Sequence, residues 1–140
     1  MKEVFGTILI VLFVLLSLLH FYWVFGGKKG LDKALPADNN GNKVFNPGKI
    51  ETSIVGFGLL LFALYYFLKV GNLKTELPSV ILDYSGWIIS SVFILRTIGD
   101  FKYVGFFKKI KNTEFGRFDT KYFTLLSLII GILGVIVELM

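Results

Sequence analysis

The chain has no cysteine, which excludes disulfides, thiolate metal sites and cysteine nucleophiles. It has a single histidine, His20, so there is no metal-spaced histidine pair and no recognisable Ser-His-Asp arrangement. Charge is also scarce. Charged residues make up 18% of the chain, against about 25% in an ordinary soluble domain. Apolar residues fill the gap, at 54% with a mean hydropathy of +0.70. They gather into four blocks, an arrangement that a single soluble core does not require. A chain of 140 residues reads as one domain.

A helix needs about 20 apolar residues to cross roughly 30 Å of hydrocarbon. The blocks predict spanning helices over about 4–25, 50–69, 77–98 and 120–139. The expected fold class is therefore all-α, a four-helix transmembrane bundle. The first block opens with Met1-Lys2-Glu3. It is too long for a signal-peptide core and ends in bulky His20-Phe21-Tyr22-Trp23, so a retained helix is expected. Tyr65-Tyr66-Phe67 close the second block and read as an interfacial aromatic belt. The third block is the least apolar, because Asp83, Arg96 and several serines interrupt it. On that ground it is expected to be the most protein-buried helix.

Basic residues favour cytoplasmic loops. Residues 26–49 carry five. Seven more lie at or near the segment 99–119, from Arg96 to Lys121. The opposite side carries only Lys2, Lys69 and Lys74. This bias predicts loops 26–49 and 99–119 in the cytoplasm and both termini outside; the expected membrane is a plasma membrane. The segment 99–119 interleaves Phe101, Tyr103, Phe106, Phe107, Phe115 and Phe118 with lysines and Arg117. Beside membrane helices that pattern predicts an interfacial segment held by anionic lipid rather than a nucleic-acid surface.

Intramembrane ionisable groups are costly and therefore candidates for function. One group gathers near the cytoplasmic side: His20, Tyr22, Trp23, Glu51, Arg96 and Asp100. Gly6, Phe13, Ser17 and His20 form a stripe at helical spacing. Arg96 and Asp100 are four apart and can pair along one face. The set could bind an anionic or polar ligand through Arg96, with His20 as acid or base. The plainer reading is a structural ion pair at the membrane edge. A second group, Asp83 and Glu138, lies toward the other side. Glu138 shares a face with Ser127, Gly131 and Gly134 and should point at the bundle. A cation or proton site is conceivable there, but solvated helix ends are the expected outcome.

Other motifs fail. Asp38, Asn40 and Asn42 alternate like a calcium loop, yet Lys43 stands where glycine is needed. Gly26-Gly27 and Gly30 lack the strand–turn–helix context of a nucleotide fingerprint. No metal or cofactor is expected.

The pattern His20-x-Tyr22-Trp23-x-x-Gly26-Gly27-x-x-Gly30-Leu31, with Ala34-Leu35-Pro36 after it, resembles a bacterial family of uncharacterised four-helix membrane proteins. Arg96-x-Ile98-Gly99-Asp100-Phe101, Gly105-Phe106-Phe107-Lys108 and Asp119-Thr120-x-Tyr122 extend the likeness over nearly the whole chain. In words, it is the domain-of-unknown-function family three-nine-nine-five. The resemblance implies a four-helix bundle and supplies no substrate. Three functions fit the residues: binding of a lipid or small amphiphile in a polar pocket, an intramembrane enzyme acting on a lipid or isoprenoid, or an accessory subunit that docks a membrane partner. Membrane lipids are the expected partners, with a membrane protein or a second copy as further possibilities. Small drug exporters share the helix count, but their carboxylate in the first helix is missing here.

Overall fold

A computed structural model describes residues 1–71 and 76–140. Lys74, counted above on the sparsely charged side, lies outside the described residues. Among the described residues, four helices are long and apolar enough to cross a membrane: α1 (Lys2–Val24), α3 (Lys49–Val70), α4 (Ser79–Ile98) and the composite span Glu114–Leu139. The last begins as α5 (Glu114–Phe118), passes through a π-helical turn (Asp119–Phe123) and continues as α6 (Thr124–Leu139). Helix thus starts at Glu114, earlier than the apolar pattern alone indicates. A short helix, α2 (Leu31–Ala34), lies in the first loop.

The bundle consists of two close pairs, α1 with α3 and α4 with α6. Small residues permit the close approach within each pair. In α1 the buried face is Gly6, Leu9, Phe13 and Ser17; it contains Gly6, Phe13 and Ser17 of the predicted stripe, while His20 is half-buried. Val4, Ile8, Val11, Leu15 and Leu18 point outward, where lipid is the compatible solvent. Ser17 Oγ donates to the Gly56 carbonyl at 2.7 Å and ties α1 to α3. In α6 the buried face includes Ser127, Gly131, Gly134 and Val137. A Cβ added at Gly134 would collide with Ser90 of α4, so glycine sets that spacing.

The pairs meet through an aromatic layer. The Phe13 ring lies 5.6 Å from Phe62, 5.9 Å from Tyr66 and 5.5 Å from Phe93, joining α1, α3 and α4. Direct packing between α3 and α4 is otherwise sparse. A polar clamp at the end carrying the chain termini compensates. Lys69 Nζ reaches Glu138 Oε2 and donates to the Tyr65 hydroxyl and the Leu82 carbonyl, each at 3.0 Å. The Tyr65 hydroxyl lies 3.0 Å from both Leu82 O and Glu138 Oε1, and its single proton can be donated to either one.

Three expectations are corrected here. Glu138 is not a solvated helix end, because its side chain is 2% exposed and bound to Lys69; Asp83 is the exposed one. Tyr65 and Tyr66 are core residues rather than an interfacial belt, and only Phe67 faces outward. Helix α4 is not the most buried: 22% of its span is buried, against 33% for Glu114–Leu139. Ser90 and Thr97 are buried and donate to carbonyls of their own helix, Gly86 at 2.7 Å and Phe93 at 2.8 Å. The exposed positions of α4 include Val80, Ile81, Tyr84, Trp87, Ile88, Val92 and Leu95, large apolar side chains for which lipid is a compatible solvent.

A cavity at the loop end and the Asp119 hub

At the opposite end the two pairs separate. The C-terminal ends of α1 and α4 and the N-terminal ends of α3 and α6 enclose a cavity of about 480 Å³. Leu16, Leu19, Val55, Leu59, Val92, Phe93, Leu126 and Ile130 make its walls apolar. Leu31, Leu35, Pro36, Phe45 and Pro47 of the first loop complete the lining. The polar groups on it are His20, Trp23, Glu51, Thr52, Arg96 and Ser127.

Four of the six sequence-predicted residues therefore share one cavity: His20, Trp23, Glu51 and Arg96. His20 Nδ1 lies 2.7 Å from the Leu16 carbonyl. A carbonyl can only accept, so Nδ1 carries the proton, and in the neutral ring Nε2 is left as an acceptor. The imidazole stands edge-on to Trp23 at 5.2 Å. Trp23 Nε1 donates to the Lys29 carbonyl at 3.1 Å and anchors the first loop. Tyr22 lies off the cavity and is exposed; its ring covers Gly27, where a side chain would clash with it. The alternating Asp38, Asn40 and Asn42 form a turn, in which Asp38 Oδ1 accepts from the backbone N–H of Asn40 and Asn42 at 2.9 Å each.

Asp100 also lies off the cavity, and the expected Arg96–Asp100 pair is absent. Helix α4 ends at Gly99, whose φ of +90° turns the chain away before Asp100. Asp100 Oδ1 instead accepts from the backbone N–H of Lys102, Tyr103 and Val104 at 2.9, 2.7 and 2.8 Å. Burial opposes its charge, but these three donors outweigh that and hold the carboxyl below its usual range. The stabilisation is complete above the unfolded value of about 3.9 and is lost as pH falls through the lower folded value. An NMR titration of Asp100 is expected to give a midpoint below that of a free peptide. Asp100→Ala should cost about 1 kcal/mol, since solvent competes at this exposed turn. A titration midpoint at or above the peptide value would contradict the cap.

Arg96 pairs with Asp119, a residue that sequence reasoning missed. Arg96 Nη2 donates to Asp119 Oδ1 at 2.5 Å. Asp119 Oδ2 accepts from Lys108 Nζ at 2.9 Å, the Thr124 hydroxyl at 2.9 Å and the Gly105 N–H at 3.0 Å. Asp119 is fully buried, and so is the Lys108 side chain. Lys108 also donates to the Gly105 carbonyl at 3.0 Å. The carboxylate thus organises the third loop from beneath. Lys108 and Phe115, both assigned to the lipid-facing set, are buried, whereas Phe101, Phe106 and Phe107 remain exposed. The usable signal for Asp119 was its place just before an apolar run. The π-helical turn that begins at Asp119 is a type of distortion common at functional sites.

One further atom stands out. Arg96 Nη1 is buried and has no hydrogen-bond partner among the described residues. Among the same residues, no group of acidic residues or histidines could hold a metal ion.

Residues 13–134, nearly the whole chain, match the family described as Protein of unknown function (DUF3995). The chain belongs to this family. The DUF3995 match spans the aromatic layer, the cavity and the Asp119 hub. No curated protein and no solved structure matches the chain.

Proposed function

We propose that this DUF3995 protein binds a lipid or small amphiphile in the loop-end cavity, and that the loop end faces the cytoplasm of a bacterial cell. The observation that carries the reading is the cavity itself. It is apolar along the helices and has polar groups from α1, α3, α4 and α6, which suits a molecule with a tail and a head. The orientation rests on the positive-inside bias of twelve basic residues against three.

An enzyme acting on a lipid or isoprenoid ranks second. His20 keeps a free ring nitrogen on the cavity wall, but no carboxylate is paired with it among the described residues. A purely docking subunit is less well supported, since a filled core and a fully paired Arg96 would suit it better.

Native mass spectrometry of the protein released from its membrane should find a lipid or amphiphile bound at defined stoichiometry. Leu126→Trp, which fills the cavity wall, should remove it while the helical circular-dichroism signal is retained. Wild-type protein without any bound amphiphile, and without saturable uptake of added ones, would sink the proposal. A C-terminal reporter active only in the cytoplasm should stay silent; strong signal would reverse the orientation.

A further inference from the structure

We infer that the cavity selects an anionic headgroup, a phosphate or carboxylate, and that Arg96 is the group that holds it. This rests on the amphiphile reading above and narrows it to one ligand chemistry.

The first observation is the charge balance of the hub. Arg96 and Lys108 share a single buried carboxylate, Asp119, so the cluster carries one net positive charge. The Lys108 and Asp119 side chains are wholly removed from solvent. The Arg96 side chain is 31% exposed, so water screens part of the excess charge, and a counter-ion seated there would replace that water and neutralise the remainder. Of the two cations, Arg96 is the one on the cavity wall.

The second observation is the unpartnered donor. Asp119 uses one terminal nitrogen of Arg96, and buried Nη1 has no partner among the described residues. A guanidinium presents its donors in a rigid fork that fits two oxygens of a phosphate or carboxylate. With Asp119 on one side of that fork, a bound anion would satisfy the remaining donor and the net charge together.

The third observation concerns neighbours. Glu51 also lines the cavity, but it is exposed to solvent, and no ion pair joins it to Arg96 among the described residues. It therefore does not neutralise the hub. A zwitterion spanning Arg96 and Glu51 is the competing arrangement.

Trp23 provides the readout. The chain has two tryptophans, and Trp87 is an exposed residue of α4 away from the cavity. Trp87→Phe leaves Trp23 as the sole indole. Delipidated Trp87→Phe protein is titrated with brominated single-chain amphiphiles that share one tail and carry phosphate, carboxylate, phosphocholine or hydroxyl heads. Saturable quenching is expected for all, with the two anionic heads at least ~10-fold tighter, the scale of one charge-assisted hydrogen bond. Arg96→Gln should erase that preference while leaving tail-driven quenching in place. Arg96→Lys, which keeps the charge, should retain part of it, so a folding defect in the glutamine variant is distinguishable from loss of the contact.

Equal affinity for all four heads overturns the anionic inference and leaves amphiphile binding intact, and so does tightest binding of phosphocholine. Absence of saturable quenching for every head overturns the underlying reading as well. Inorganic phosphate and acetate serve as tail-free competitors. Weak competition by them identifies the ligand as an amphiphile, and displacement as effective as by the tailed anions overturns that source in favour of a soluble anion.

Discussion

Replacing Asp119 with alanine is expected to destabilise the protein by about 3–5 kcal/mol, the cost of removing one partner from a buried charge cluster. The loss is large because it is not the loss of one bond. Asp119 accepts from Arg96, Lys108, Thr124 and the Gly105 backbone. Without it, two cations remain beside each other with no carboxylate between them. Lys108 has no other anion among the described residues and keeps only the Gly105 carbonyl. The third loop should loosen with it, since Gly105 N–H and Lys108 both lose their anchor. Reversible unfolding in mixed micelles measures the energy, and amide exchange across 99–111 measures the loop. The control is a compensating variant, Asp119→Asn with Lys108→Met, which removes the carboxylate's charge and one cation together. It should recover part of the loss, as apolar replacements of buried ion sets commonly do. A cost below about 1 kcal/mol for Asp119→Ala would mean that water already reaches the cluster.

The second large effect is expected at the other end of the bundle. Lys69→Met should cost about 3 kcal/mol or more, because among the described residues it leaves the Glu138 carboxylate buried with only the Tyr65 hydroxyl bonded to it. The clamp also spans α3, α4 and α6, where apolar contact between α3 and α4 is sparse. Its loss should therefore let those helices separate. The double variant Lys69→Met, Glu138→Gln should be clearly more stable than Lys69→Met alone. Lys69 and Asp119 lie at opposite ends of the bundle and share no partner, so their costs should add. Strong non-additivity would show that the ends are coupled through the helix pairs.

Much of this architecture was legible in the residue pattern. Spans, their number and the inward faces of α1 and α6 follow from apolar length and from small residues at helical spacing, as with Gly6, Phe13 and Ser17 or Ser127, Gly131 and Gly134. The grouping of His20, Trp23, Glu51 and Arg96 followed from depth, because a helix rises by a constant amount per residue. Depth says nothing about direction. Tyr22 is adjacent to Trp23 yet faces away from the cavity, since neighbouring positions on a helix point about 100° apart. Asp100 has the spacing to pair with Arg96, but the helix ends at Gly99, and spacing beyond a helix end carries no facing information.

By itself the sequence determined that the chain forms four membrane-length helices, which faces α1 and α6 turn inward, and that positive charge concentrates around two loops. Each of these is a sum over residues along the chain, and transfer into hydrocarbon is scored residue by residue. Only the tertiary structure decided the partners of the buried charges. Asp119 takes Arg96 from 23 positions away and Lys108 from 11, and Glu138 takes Lys69 from 69 positions away. Those pairings depend on how the two helix pairs pack and where a π-helical turn falls. The same packing decided that the pairs are clamped at one end and parted at the other, and that parting leaves the cavity.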